Sequence, residues 1–315
     1  MYPFLLKWPI EFPSYFTLLM VAFMIGIYLA VKEAVRVGVE ANKILDMSIY
    51  ILIFSILGAR ILHVFVDGHF DDYVNMCVDP FKVEEAAKYI QGGCKSDLMC
   101  DKAGVGNICE IATGFCYQKD CFAAIEIWRG GYVYYGGFIG GLLAGFIFIK
   151  RKKLKAFLVA DIVAPSLAVG LAIGRLGCFL AGCCFGKYTS SFLGISFPSG
   201  SPAFHKHLEL YPDIMEGVHN HSLTVYPTQL FSIITNGLIF VYLFFFLRKR
   251  KKYTGQIFLQ FLILKSITRF IIEYFRDDDR GIFGFFSTSQ WISIFIIIPA
   301  IGLSFYLKKA AKNVQ

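Results

Sequence analysis

The chain has 315 residues, of which 56% are apolar and 17% aromatic, and only 17% are charged. Ordinary soluble domains carry roughly 25% charged residues, so a soluble fold of this size is excluded for want of polar surface. The net charge of +8 does not read as a nucleic-acid surface. Its basic residues fall in short runs between apolar stretches, as in cytoplasmic loops under the positive-inside rule.

Residues 1–12 lack the basic start and small-residue cleavage site of a secretory signal, so the first apolar stretch is expected to remain in the mature protein. A membrane-crossing helix needs about 20 mostly apolar residues. Seven stretches meet this, near Tyr15–Val31, Met47–Val66, Tyr132–Ile149, Phe157–Leu180, Leu230–Leu247, Gly255–Phe275 and Trp291–Leu307. The expected fold is an all-α polytopic membrane protein, one membrane domain over residues 1–315.

Basic residues set the orientation. Lys32, Arg36 and Lys43 follow the first stretch, and Lys150-Arg151-Lys152-Lys153 the third. Arg248 to Lys252 follow the fifth, and Lys308, Lys309 and Lys312 the seventh. These connections alternate with the others, so they predict a cytoplasmic C terminus and an N terminus outside. Segments 67–131 and 184–229 then lie outside the membrane on the extracytoplasmic side.

Cysteines agree with that assignment. Cys77, Cys94, Cys100, Cys109, Cys116 and Cys121 all fall in segment 67–131. An even number in a short polar segment reads as a disulfide framework in an oxidising compartment, with 15 possible pairings. A zinc site competes less well, because no paired C-x2-C knuckle occurs. Cys178, Cys183 and Cys184 stand apart, at the end of the fourth stretch. They read as small packing residues, as a disulfide pair, or as functional thiols or metal ligands. His205-Lys206-His207 and His219-Asn220-His221 are two His-x-His pairs; flexible surface histidines are the simpler reading.

Ionisable residues inside a span are costly and mark functional sites by default. The second stretch holds Arg60 and His63, and the fourth holds Asp161 and Arg175. In the sixth, Lys265, Arg269, Glu273 and Arg276 fall within roughly 80° of one helix face, at about 100° per residue. Arg269 with Glu273 at i,i+4 can be a structural ion pair. The predicted depth instead places Arg60, Arg175, Arg269 and Arg276 in the outer half of the membrane. Several guanidinium forks there suit a lipid phosphate. Glycines open the third stretch. Gly140, Gly141 and Gly145 read as close helix packing, whereas Gly136 and Gly137 at the rim can bring backbone to a ligand.

Taken together, these segments resemble the prolipoprotein diacylglyceryl transferase family. Gly174–Gly186 looks like the family signature GRxGNFxNxExxG. Tyr135-Gly136-Gly137-Phe138-Ile139-Gly140, Tyr226-Pro227-Thr228-Gln229-Leu230 and Arg269–Arg276 support it, and the likeness covers most of the chain apart from the Cys-rich insertion. The resemblance implies a seven-helix enzyme of the bacterial inner membrane. It would move a diacylglyceryl group from phosphatidylglycerol to the lipobox cysteine of a prolipoprotein signal peptide, releasing glycerol phosphate, with no metal or other cofactor.

By that likeness Arg175 and Arg269 hold the phosphate and Glu273 orients Arg269, with Glu273 also a fallback base. Arg60 and Arg276 extend the positive field. Gly136, Gly137 and Gln229 join the substrate site, and Tyr135 meets the headgroup or the incoming thiol. The chain departs from the family's pattern where Tyr135 replaces His, Cys178 Asn, Cys183 Glu, Ser232 Glu and Lys265 Tyr. Tyr, with a pKa around 10, is a poor base but a good donor. These departures keep two other readings open: a related headgroup transferase with another acceptor, and a non-catalytic lipid transporter or scaffold.

Overall fold

The computed structural model describes residues 4–6, 12–83, 88–89, 92–126, 130–215, 220–277 and 282–313. Its helices are α1 (Ser14–Arg36), α2 (Ala41–Val66), α3 (Phe70–Val78), α4 (Asp97–Ala103), α5 (Tyr134–Arg151), α6 (Ala156–Ala181), α7 (Pro202–Leu210), α8 (Pro212–Met215), α9 (Thr228–Val241), α10 (Gln256–Glu273) and α11 (Thr288–Lys312). Short strands are β1 (Phe4–Leu6), β2 (Phe12–Pro13), β3 (Lys88–Tyr89), β4 (Ile108–Glu110), β5 (Phe115–Tyr117), β6 (Ile282–Phe283) and β7 (Phe286–Ser287). A helix covers each of the seven apolar stretches. The small antiparallel sheets β1-β2, β3-β5-β4 and β6-β7 lie outside them. A π-helical turn at Tyr242–Phe246 extends α9.

Among the described residues, five helices are long and apolar enough to cross a membrane: α1, α2, α6, the α9 stretch Thr228–Lys249, and α11. Helices α5 and α10 are 18 residues each. The first ends on Lys150-Arg151 and the second carries Lys265, Arg269 and Glu273.

The chain forms two compact units, Met1–Leu45 with Leu154–Gln315, and Asp46–Lys153. In the first unit, α6 lies between α1, α9 and α10, and α11 packs along α10. Ala164 and Ala168 of α6 meet Ile239, Leu243, Ile257 and Phe261 of the α9 and α10 stretches, all buried. Small residues on α6 let the larger partners approach closely. Asp161, 2% exposed, does not point at a ligand. Its carboxylate accepts the backbone N–H groups of Gly255 (2.6 Å) and Phe258 (2.9 Å). Lys251 completes the set at 2.9 Å. It caps the α10 N terminus from another helix, supplying an acceptor that the first turn cannot find within itself. Glu33, also buried, links two arginines instead, pairing with Arg36 at 2.5 Å and Arg248 at 3.1 Å.

In the second unit α2 and α5 cross through glycine. A Cβ on Gly136 would lie 2.3 Å from the Gly58 carbonyl oxygen, and one on Gly140 2.3 Å from that of Phe54. Gly136 is therefore packed directly against α2. Gly137 is less crowded, with the Ser55 oxygen at 3.2 Å. Gly145 would make only ordinary contact with Ile51, at 3.4 Å. Gly136→Ala is expected to cost about 1–3 kcal/mol by forcing two backbones apart, and Gly145→Ala close to nothing. Thermal unfolding in detergent separates the two; equal midpoints would refute this account of the crossing.

The segment between α2 and α5 has its own core. The six cysteines stand in pairs at bonding distance, Cys77 with Cys121, Cys94 with Cys109 and Cys100 with Cys116. The last four are buried together around the three-stranded sheet. So small a segment gains more from such cross-links than from apolar burial.

Candidate functional site

One end of the first unit gathers most of the predicted site residues. The C-terminal ends of α6 and α10 and the N-terminal ends of α9 and α11 meet there through hydrogen bonds. Gln229 Nε2 donates to the Cys183 carbonyl and Thr228 Oγ1 to that of Cys184, both at 2.8 Å. The Lys187 N–H donates to the Phe275 carbonyl at 2.8 Å, and Gly186 pairs with Arg276 as a β-bridge. Only glycine fits at 186, since a Cβ would lie 2.4 Å from the Phe275 oxygen and 2.7 Å from the Tyr226 oxygen. Thus the segment matching the signature is stitched to the chain that carries Arg276.

Within this frame Arg269 and Glu273 pair at 2.6 Å. Two serines of the next segment complete the arrangement. Arg269 Nη2 donates to Ser289 Oγ at 3.0 Å, and Ser287 Oγ donates to Glu273 Oε1 at 3.1 Å. Ser287 also opens α11 in a capping box with Gln290. The pair is thereby fixed to the start of α11 as well as to α10. The charges of Arg175 and Arg269 both reach Lys265, whose ammonium donates to Asn236 Oδ1 at 2.8 Å. The charges of Arg175 and Arg276 both reach Cys184. Arg276 is 4% exposed, and the Lys206–Asp277 ion pair at 3.0 Å holds the residue after it.

The thiols of Cys178, Cys183 and Cys184 cluster, with their sulfur atoms within 4.8 Å of one another. Tyr15 of α1 lies beside them and Arg175, against Gly177, where a Cβ would be 3.3 Å from the Tyr15 Cα. Tyr15, Ser287 and Ser289 were not singled out from the sequence. The Ser-x-x-Gln pattern before an apolar run was a readable signal for Ser287 and Gln290; nothing local marks Tyr15.

The other predicted residues belong to the second unit. Arg60, 4% exposed, donates to the carbonyls of Ala124 (3.0 Å), Ala123 (2.5 Å), Gly131 (3.3 Å) and Gly130. Its guanidinium lies 5.1 Å from the Tyr73 ring centroid. It therefore secures the chain that leads into α5. Tyr135, in the first turn of α5, is 62% exposed.

The His-x-His segments do not assemble among the described residues. His207 is 1% exposed and its Nδ1 accepts the Leu223 N–H at 3.1 Å. Burial pushes its imidazole below the ordinary 6.5, so it is a neutral packing residue. His221 Nδ1 contacts the Ser222 carbonyl at 3.0 Å. His219 lies outside the described residues.

Such an end can hold an anion: several guanidinium groups, one of them positioned by a carboxylate and serines, in an otherwise apolar helical unit. Comparison with known proteins points the same way. The family model described as prolipoprotein diacylglyceryl transferase matches residues 3–96 and 105–306. A phosphatidylglycerol–prolipoprotein diacylglyceryl transferase of Oceanobacillus iheyensis is 32% identical over 291 residues, 92% of this chain and 82% of that protein. The like-named protein of Clostridium tetani is 36% identical over 171 residues, 54% of this chain and 62% of its own length. One from Clostridium perfringens is 39% identical over 171 residues, 54% and 60% respectively. The chain thus spans about three fifths of the two clostridial relatives. The family match runs through the whole Arg175–Arg276 region and omits only residues 97–104 between its two parts. This chain belongs to the prolipoprotein diacylglyceryl transferase family.

Proposed function

We propose that the protein transfers the diacylglyceryl group of phosphatidylglycerol to the lipobox cysteine of a prolipoprotein, with glycerol phosphate leaving. The observation that carries this reading is the gathering of Arg175, Arg269 and Arg276 at one end of the first unit, with Glu273 positioning Arg269. The phosphate gains negative charge as its bond to the diacylglyceryl carbon breaks. Donors fixed before the reaction stabilise that charge without reorganising. Arg175 and Arg269 bind the phosphate, Arg276 adds to the field, and Gln229 acts through the Cys183 carbonyl to position the loop. The roles of the second unit's residues rest on the sequence pattern. Tyr135 donates to the headgroup or the acceptor thiol, Gly137 lets backbone approach, and Arg60 positions the start of α5.

The topology proposed with this activity has seven crossings, the N terminus outside and the C terminus in the cytoplasm of a bacterium, in its inner membrane. The basic runs that follow α5 and α9 support it. So do the paired cysteines of segment 67–131, which it assigns to an oxidising compartment. The test is a purified transfer assay with labelled phosphatidylglycerol and a lipobox peptide. Thioether product together with released glycerol phosphate is expected. Phospholipid binding without headgroup release would instead favour a transporter or scaffold.

A further inference from the structure

We propose that Cys178, Cys183 and Cys184 form a three-thiolate site for a borderline-soft divalent cation of the Zn2+ class, whose open fourth position takes the acceptor thiol.

The three sulfur atoms lie within 4.8 Å of one another. Tetrahedral zinc, with Zn–S of about 2.3 Å, sets its sulfurs about 3.8 Å apart, inside that limit. Thiolate sulfur selects such ions over Mg2+ and Ca2+, which prefer oxygen. Three protein ligands with one position left open is the pattern of a catalytic rather than a purely structural zinc site.

The backbone is built to bring the sulfurs together. Neighbouring side chains ordinarily diverge, yet Cys183 and Cys184 converge on Cys178. Cys184 has φ +61°, and Lys153 is the one other non-glycine residue with positive φ among the described residues. A β-carbon in that region costs on the order of 1–3 kcal/mol and persists only where surroundings impose it. They do so here. Gln229 and Thr228, both fully buried, hold the carbonyls of Cys183 and Cys184. Gly182, at φ +72°, ends α6, and the Cys183 N–H donates to the Cys178 carbonyl at 3.1 Å. Charge is matched as well. Three thiolates on a dication leave one net negative charge, and Arg175 and Arg276 both reach Cys184.

The activating role rests on the function proposed above. A free thiol, with a pKa near 8.5, is mostly protonated at neutral pH, and coordination makes it a thiolate. The acceptor R–SH would bind the fourth position as R–S⁻ and release its proton to water. Its sulfur lone pair would then form the bond to the diacylglyceryl CH2 carbon. The C–O bond to phosphate would break, its electron pair leaving with glycerol phosphate beside the arginines.

The full-length protein in detergent, stripped by chelator, is titrated with Co2+ alone and then Zn2+ alone. One equivalent of Co2+ should bind with a near-ultraviolet thiolate charge-transfer band, which Zn2+ then abolishes. Cys178→Ser and Cys184→Ser should each weaken binding at least tenfold. No band in wild-type protein shown by alkylation to have three free thiols overturns the site. So does an unchanged band in the triple serine variant, or a disulfide between two of the three in protein isolated without added reductant. Activation is read by single-turnover transfer, where one equivalent of Zn2+ should restore at least tenfold to stripped protein. Transfer unaffected by stripping, in protein that binds Co2+ as described, overturns activation and leaves the transferase reading intact. Absence of transfer in both forms overturns that reading and activation together, while the cobalt titration still decides the site.

Discussion

Arg269→Ala is expected to lower the kcat/KM of diacylglyceryl transfer by about 10²–10³, or ~3–4 kcal/mol of transition-state stabilisation, the usual cost of deleting one preorganised donor. Arg269 reaches Glu273 at 2.6 Å and Ser289 at 3.0 Å, so its side chain is aimed before any ligand arrives. Arg269→Lys should recover only part of the loss, because an ammonium keeps the charge but not the planar fork that grips two phosphate oxygens. Because Ser289 gives Arg269 one hydrogen bond while Glu273 still pairs with it, Ser289→Ala should be much milder. The assay is peptide lipidation at several phosphatidylglycerol concentrations. Arg269→Ala within twofold of wild type would remove the residue from the mechanism.

The largest expected loss of stability comes from Asp161→Ala, at about 3–5 kcal/mol, the range for removing one member of a buried ion pair. The substitution strands the Lys251 ammonium and leaves the N–H groups of Gly255 and Phe258 without their acceptor. Asp161→Asn should be milder, since an amide oxygen can still accept from one of the two. Both are read as thermal midpoints in detergent, with binding of phosphatidylglycerol as a check that the arginine end is intact in the surviving fraction. An alanine variant that melts with the wild type would show that α10 is capped by other means.

Asp161 also shows what sequence reasoning could and could not see. An acid in an apolar stretch is rightly suspected, but its partners lie near residue 255, on another helix, and no local period reveals them. Arg60 is a similar case, with its carbonyl partners at 123–131, and so is Lys265, which bonds Asn236 on α9. By contrast, whatever rests on short-range spacing was legible. A helix lies in each of the seven apolar stretches, and among the described residues five of these helices are long and apolar enough to cross a membrane. The Arg269–Glu273 pair follows from i,i+4 geometry. The pairing of six cysteines was not legible, since fifteen arrangements satisfy the count and the partners meet only in the folded segment. The close approach of Gly136 to Gly58 was not legible for a related reason. A glycine that exposes backbone and one that admits a neighbouring helix look alike until Gly58 is seen across from it.

The Cys77–Cys121 pair has a consequence for how the chain can vary. Those residues are 44 apart in sequence, yet their Cα atoms are 4.3 Å apart. The intervening chain therefore departs and returns at one point, as through a drawstring. The closure cost of such a loop grows only with the logarithm of its length. Length added between the two cysteines would therefore add little to the closure cost, while Cys77 and Cys121 keep the two ends of the segment together.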